Sequence, residues 1–306
     1  MSLDADALID RRRLKRRLAL WRTLAILALV TMVVVGLDRF SGLPGAAEER
    51  HVARFTLSGL IMDDRARNEA LTKVAANSNV AALILYINSP GGTVVGGETV
   101  YHSLREVAEK KPVVAVMGTL ATSGGYMAAL SADYIFAREG TITGSIGVLL
   151  QTTDITGLLA KLGISAEAIK SGELKAVPSP FEPLTERGRE VTREVVMDMH
   201  EMFVDLVAER RKLPRAEALV LADGRIYTGR QAVANKLIDQ IGGENEAREW
   251  LENQRDIPKS LPLRDVKVER EDDKWYDILR RLVGKTLFSE RLTLDGLVSV
   301  WHPDGR

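Results

Sequence analysis

The sequence predicts an α/β fold, in which a parallel β-sheet is flanked by helices and is preceded by one N-terminal transmembrane helix. Two observations in the 306 residues support this fold class. Short, continuous runs rich in β-branched residues alternate with helical patterns, which is typical of parallel strands that are buried on both faces. Near the N-terminus, 20 consecutive residues carry a single charge. A helix of that length spans the roughly 30 Å of a bilayer's hydrocarbon core.

The apolar run extends from Leu18 to Leu37 and directly follows six basic residues at positions 11–17. Its one charged residue, Arg22, is near enough to the start to reach the lipid headgroups. Basic residues before the run and Asp38 after it predict a cytoplasmic N-terminus and a domain on the far side of the membrane. A cleaved signal peptide and a buried core helix are the alternatives. The run lacks a good small-residue cleavage site just after it, so the sequence favours an uncleaved anchor.

Four strands and four helices are predicted after the anchor, and one helix lies between each predicted strand and the next. The strands are Val52–Ile61, Val80–Asn88, Val113–Gly118 and Tyr134–Ala137. The helices are Arg65–Asn77, Val94–Lys110, Ser123–Ala132 and Thr185–Lys212. An apolar stripe on the last helix indicates packing in a core or at a subunit interface.

These elements divide the chain into five segments. They are a basic N-terminus at residues 1–17, the anchor at 18–37, a linker at 38–50, a folded domain at 51–250 and a C-terminal segment at 251–306. Apolar residues between positions 275 and 283 share one helical face in the last segment. That face would contact the bilayer, another subunit or the domain's own core.

Composition excludes several classes of function. The chain holds 42 basic and 42 acidic residues, so its zero net charge argues against a nucleic-acid partner. It has no cysteine, which excludes disulfides, thiolate metal sites and cysteine nucleophiles. No metal or other cofactor is expected.

Two glycine-rich turns each follow a predicted strand, at the edge where open α/β sheets bind ligands. The first turn is Asn88–Gly92 and the second extends from Gly118 to Tyr126. Ser123 in the second turn would precede a helix, with backbone amides beside it, as an acyl-transfer nucleophile and its oxyanion hole require. Neither turn matches a nucleotide-binding glycine motif. Tight turns without any chemistry remain the alternative.

A serine nucleophile needs a base, and the histidines are poorly placed to supply it. None of the four (His51, His102, His200 and His302) follows Ser123 closely on a loop, so a Ser-His-Asp triad is poorly supported. A lysine can replace histidine when burial lowers its pKa from about 10.4. Lys175 lies in a short turn-like segment, although spacing alone does not select it.

Five motifs, in order, resemble the signal peptide peptidase A family of membrane-bound serine proteases in its short, single-repeat bacterial form. The resemblance covers most of residues 50–245. The motifs are Asn88-Ser89-Pro90-Gly91-Gly92, Thr122-Ser123-Gly124-Gly125-Tyr126, Thr143-Gly144-Ser145-Ile146-Gly147-Val148, Ser171-Gly172-Glu173-Leu174-Lys175 and Gly224-Arg225-Ile226-Tyr227-Thr228-Gly229-Arg230.

The resemblance implies a Clp-protease/crotonase-like fold and a Ser-Lys dyad. It assigns Ser123 as the nucleophile and Lys175 as the general base, with Ser145 helping to hold the lysine amine. The amides of Gly92 and Gly124 would form the oxyanion hole. The implied substrates are remnant signal peptides and similar apolar membrane-associated peptides.

The resemblance also implies an assembly and a location. Family members form ring-like homo-oligomers in which serine and lysine come from neighbouring subunits. Residues 18–37 would contact membrane lipid as a single-pass anchor in the bacterial inner membrane, with the catalytic domain on the periplasmic or extracytoplasmic side. Two other functions would suit the same fold, a crotonase-like acyl-CoA enzyme and a non-catalytic membrane scaffold. The anchor and the Ser123–Lys175 pair argue against the first, and the presence of both dyad residues argues against the second.

Overall fold

The computed structural model describes residues 3–40 and 49–269, with side chains described for residues 15–33 and 49–269. The chain divides into two compact units, Met1–Glu49 and Arg50–Arg306. In the first unit, one helix, α1 (Leu3–Phe40), includes the predicted anchor.

Several sequence predictions concern residues that the structure does not describe, or describes only in part. Within the described part of the chain, no helix has the length and apolar character needed to cross a membrane. The transmembrane span predicted for residues 18–37 is therefore not found there, and its last four residues lie outside the described side chains. Most of the predicted linker, and the predicted apolar face between residues 275 and 283, also lie outside the described residues.

One eight-stranded sheet organises the second unit. Its strands are β1 (His51–Ile61), β2 (Val80–Gly92), β3 (Val113–Thr122), β4 (Tyr134–Ala137), β5 (Ile142–Gly144), β6 (Ile226–Thr228), β7 (Gln240–Ile241) and β8 (Leu263–Asp265). The main path is β6-β5-β3-β2-β1-β8, and β4 lies between β3 and β7. In β3, residues 114–117 pair with β4 and the last three residues, 120–122, pair with β5.

Eight helices connect the described strands or cover the sheet. They are α2 (Arg65–Ala76), α3 (Val94–Ala108), α4 (Gly124–Ala129), α5 (Thr156–Lys161), α6 (Glu186–Arg211), α7 (Arg215–Leu221), α8 (Gly229–Ala234) and α9 (Glu244–Arg255). Three of the longer helices, α2, α3 and α6, begin at a residue whose side chain accepts a hydrogen bond from an amide of the first turn. Asp64 accepts from the Arg67 amide, Thr93 from the Gly96 amide and Thr185 from the Gly188 amide.

The two faces of the sheet bury separate apolar clusters. On β2, Leu83, Leu85 and Ile87 belong to the larger cluster, which includes residues of α2, α3, α4 and α6. Their neighbours Ala82 and Ile84 belong to the smaller cluster, which is covered by α9. This period of two, with both sets buried, is why the strand appears in the sequence as a continuous apolar run.

The predicted α/β architecture is confirmed, with one correction to the sheet. The described strands are parallel except that β6 pairs antiparallel with β5. The chain arrives at β6 from α7 through a turn at residues 223–225, so it meets the sheet edge from the opposite direction. Strand β6 has only three residues, which is too short to give a recognisable apolar pattern.

Candidate active site

Ser123 lies at the carboxyl end of β3, where the chain turns sharply into α4. Its backbone has φ 53° and ψ −122°, a conformation that costs a residue other than glycine about 1–3 kcal/mol. The surrounding backbone holds it there, since the Ser123 amide donates to the Gly144 carbonyl at 2.8 Å. The hydroxyl-bearing residue is half-buried at the head of a fully buried helix. Such strained turns present nucleophiles in enzymes.

Gly91, on the neighbouring strand β2, allows this close approach. Its φ is +104°, and a Cβ placed on it would lie 2.8 Å from the Cβ of Ser123 and 3.0 Å from the nitrogen of Gly124. Any larger residue would therefore strain the turn and displace the serine. The first glycine-rich turn thus packs against the second turn with no side chain between them.

Gly92 and Gly124 lie close together across this contact. Where β2 ends, the Thr93 amide donates to the Ile61 carbonyl of β1 at 3.0 Å. The Gly92 nitrogen would be 3.4 Å from a Cβ on Gly124. Gly124 begins α4, so its own N–H is one of the helix's first, internally unbonded donors. The backbone nitrogens of Gly92 and Gly124 therefore both lie at the turn that carries Ser123.

Ser145 lies next to this pair of turns. Its backbone has φ 49°, and its amide donates to the Arg225 carbonyl at 2.8 Å. It directly follows Gly144, whose carbonyl bonds Ser123. The ring of Tyr227 covers Gly144, at 2.5 Å from where a Cβ would be. The fifth sequence motif therefore supports the segment that carries Ser145.

Lys175 is the one predicted site residue that the fold of a single chain does not bring to the others. It is exposed, in a turn where its amide donates to the Gly172 carbonyl at 3.0 Å. Within residues 49–269, no hydrogen bond or ion pair joins its side chain to Ser123, to Ser145 or to another residue. The structure therefore groups Ser123, Ser145, Gly92 and Gly124, and leaves Lys175 on a separate exposed segment.

Three buried hydroxyl groups that the sequence analysis did not single out hold the ends of adjacent strands together. Ser89 donates to the Gly59 carbonyl at 2.6 Å and accepts from the Gly91 amide at 3.0 Å. Thr122 donates to the Pro90 carbonyl at 3.0 Å, and Thr143 to the Ala121 carbonyl at 2.7 Å. Each hydroxyl donates its proton to a backbone carbonyl, so these residues position the turns. Only the cross-strand register reveals this role.

The described histidines have other partners and positions. His51 is buried at the start of β1, whereas Ser123 lies at the other end of the sheet, after the carboxyl end of β3. His102 lies 4.0 Å from Glu98 on α3, and the His200 ring nitrogen lies 2.7 Å from the Ala222 carbonyl. In the described part of the chain, no group of three or more His, Asp or Glu residues is arranged to hold a metal ion.

A buried tyrosine fixes the helix that follows Ser123. The Tyr126 hydroxyl donates to the Leu237 carbonyl at 2.8 Å, and burial raises the pKa of this phenol far above its usual value. It therefore stays protonated and keeps α4 in place throughout the physiological pH range.

Comparison with known families identifies the family of the chain. The model of peptidase family S49 matches residues 105–258, and the Clp protease model matches residues 53–141. The chain belongs to peptidase family S49. The two matches together cover β1 to α9, including both glycine-rich turns, and they support a Clp-protease-like fold.

Several relatives that match this S49 chain are named as proteases. A Synechocystis sp. protein named as a protease is 36% identical over 77% of this chain and 83% of its own length. An Enterococcus faecium protein named signal peptide peptidase SppA is 33% identical over 69% of this chain and 65% of its own. The chloroplastic serine protease SPPA of Arabidopsis thaliana is 31% identical over 75% of this chain and 34% of its own. The resemblance to the SppA family is confirmed, and the chain is a serine protease.

Proposed function

We propose that this S49 protease is a membrane-anchored endopeptidase in which Ser123 is the nucleophile and Lys175 is the general base. The main support is the strained backbone conformation of Ser123, at a turn against which Gly91 and Gly92 pack closely. A serine held in this way needs only a proton acceptor to attack a carbonyl. Of the four histidines, His51, His102 and His200 are placed elsewhere and His302 lies outside the described residues. The family resemblance gives the role of base to Lys175.

The reaction follows from these roles. The Lys175 amine takes the Ser123 proton as Oγ attacks the peptide carbonyl carbon, and the Gly92 and Gly124 amides stabilise the oxyanion. The ammonium then gives its proton to the leaving amine as the peptide C–N bond breaks. A water molecule attacks the resulting acyl-enzyme, its proton passing to the lysine and then to Ser123 Oγ. Ser145, beside the Gly144 carbonyl that holds the nucleophile, would orient the lysine amine.

Lys175 would reach the site from a neighbouring subunit of a homo-oligomeric ring. Lys175 lies on an exposed segment, residues 149–176, and this exposure supports the arrangement. Helix α5 in this segment has no residue that is buried within the chain. Leu149, Leu162 and Ile169 on this segment are 80%, 64% and 100% exposed. Apolar side chains at such density indicate a surface that another protein copy covers.

The substrates we propose are remnant signal peptides and similar apolar membrane-associated peptides, bound in extended form. Residues 18–37 would anchor the chain in the bacterial inner membrane with its N-terminus in the cytoplasm. The basic residues at positions 11–17 support that orientation. Extracytoplasmic placement would bring the catalytic domain to the side where exported proteins lose their signal peptides.

The test is hydrolysis of an apolar peptide ester by full-length variants. Ser123→Ala and Lys175→Ala should each abolish hydrolysis, whereas Lys161→Ala, an exposed lysine of the same segment, should retain it. Retained activity in Lys175→Ala would exclude the dyad.

Mixing the two inactive variants tests the subunit arrangement. If lysine and serine meet across an interface, a mixed ring contains some intact sites, and random mixing should restore about a quarter of wild-type activity. If activity does not return although the chains co-assemble, the lysine acts within its own chain or not at all.

A further inference from the structure

A cleft lined by basic residues lies at the end of the sheet where β2 and β3 begin, opposite the carboxyl ends of the strands, where the active site lies. We call it the basic cleft. It has a volume of about 520 Å³ and is lined by the residues that enter β2 and β3, including Val80 and Pro112. Strand β3 extends for 10 residues from Val113 to Thr122. At about 3.3 Å per residue, the cleft is roughly 30 Å from Ser123. It is therefore distinct from the site that the proposed mechanism uses.

Four cations and no carboxylate line this cleft. They are Arg50, Lys110, Lys111 and Arg255. The Lys111 ammonium donates to the carbonyls of Val74 and Asn77 at 2.8 and 2.7 Å, where α2 ends. Such bonds fix its position while its charge remains.

The other three cations of the basic cleft lack a carboxylate partner. Within residues 49–269, no salt bridge involves Arg50, Lys110 or Arg255, and the Arg255 guanidinium lies over the Trp250 ring, 5.1 Å from its centroid. Burial lowers the pKa of Lys111, and the charge of the neighbouring Lys110 lowers it further, so these two cations are close enough to repel each other. A concave surface with this much uncompensated charge attracts an anionic ligand.

We propose that the basic cleft binds the phosphodiester headgroup of an anionic phospholipid. Clustered Lys and Arg side chains bind phosphate groups, and the cleft, at about 520 Å³, has room for a headgroup. The position in the chain favours lipid, because Arg50 comes only ten residues after the end of α1 at Phe40. The choice of lipid as the ligand rests on the membrane anchor of the proposed function. Headgroup binding would attach the domain to the bilayer at a second point.

Short-chain lipids test the proposal on the full-length protein in detergent. Isothermal titration would compare dihexanoyl phosphatidylglycerol with dihexanoyl phosphatidylcholine and with inorganic phosphate. The wild type should bind the anionic lipid best, and Lys110→Gln/Arg255→Gln should weaken that binding about 10- to 30-fold, since each charge near an anionic lipid surface contributes about 1 kcal/mol. Arg193→Gln/Arg230→Gln removes two exposed cations outside the cleft and should change nothing.

Two results of this titration would contradict lipid binding at the basic cleft. Unchanged lipid binding in Lys110→Gln/Arg255→Gln would overturn the proposal, and phosphate binding as tight as lipid binding would overturn the choice of lipid. Peptide hydrolysis separates this proposal from the proposed function. The cleft variant should hydrolyse peptides at the wild-type rate in detergent, and Ser123→Ala should bind the lipid normally although it is inactive.

Discussion

Ser89 is a buried residue whose hydroxyl positions the strand end that carries Gly92. It joins the Gly59 carbonyl of β1 to the Gly91 amide of β2, at 2.6 and 3.0 Å. Both of those backbone groups are left without this partner when the hydroxyl is removed. Each buried group that is left unsatisfied costs about 1–3 kcal/mol. The backbone at Gly92 would then relax away from the geometry that an oxyanion needs.

Ser89→Ala should therefore lower kcat about 10- to 100-fold and change KM little, as expected when a transition-state interaction is weakened. Ser131→Ala is the matched control, because Ser131 is equally buried and its hydroxyl donates to the Ala128 carbonyl at 2.6 Å, near the end of α4. The control should lose stability and keep kcat. A wild-type kcat in Ser89→Ala would show that the hydroxyl does not position the site.

Gly91→Ala tests the close approach of the two turns. The new Cβ would lie 2.8 Å from the Cβ of Ser123, at a φ of +104°, so the free energy of unfolding should fall by about 1–3 kcal/mol. Hydrolysis should fall at least 100-fold, the order of loss when an oxyanion donor is displaced. Gly140→Ala, where a Cβ would meet nothing within 4 Å, should do neither. Chemical denaturation and steady-state kinetics would measure both effects, and an active Gly91→Ala would contradict this packing.

Residue types identified some members of the site and not others. Ser123, Ser145, Gly92 and Gly124 stand in recognisable motifs, and the structure brings them together at one edge of the sheet. Their catalytic roles stay predictions. The roles of Ser89 and Gly91 depend on which residues of β1 and β3 lie opposite β2, and the sequence does not contain that register.

Among the elements, the four longest strands were predictable and the four shortest were not. Strand β4 has the predicted bounds, and β2 and β3 begin at the predicted residues. Both continue four residues further, into the glycine-rich turns, because strand pairing needs only backbone groups. Strands β5 to β8 have two or three residues each, which is too few to show a period of two.

The exposed segment around α5 gives a prediction at the scale of elements. Leu162→Asp/Ile169→Asp should not change the stability of the isolated domain, since both side chains are more than half exposed. It should reduce both oligomer size and peptide hydrolysis, because a charge would enter the proposed interface. Val220→Asp, at a residue of α7 that is 73% exposed, serves as the control. Light scattering with activity measurements would decide, and a fully active monomeric variant would exclude the shared site.

At the scale of the whole molecule, the zero net charge conceals an uneven distribution. Residues 1–22 hold seven basic and three acidic side chains, for a net charge of +4, and the other 284 residues carry −4. Four cations nevertheless gather in the basic cleft of the otherwise acidic remainder. The composition gave no indication of that cleft, because its cations come from three separate parts of the sequence. Only the fold brings them together.

Covalent labelling of the full-length protein tests the central claim, that Ser123 is the nucleophile of this S49 protease. The protein would be treated with a serine-reactive fluorophosphonate, and the modified residue would be located by mass spectrometry. We expect a single adduct on Ser123 that is absent from Ser123→Ala and forms much more slowly in Lys175→Ala, since no amine is then present to accept the serine proton. An adduct on Ser145 or another serine in the active wild type, with Ser123 unmodified, would contradict it.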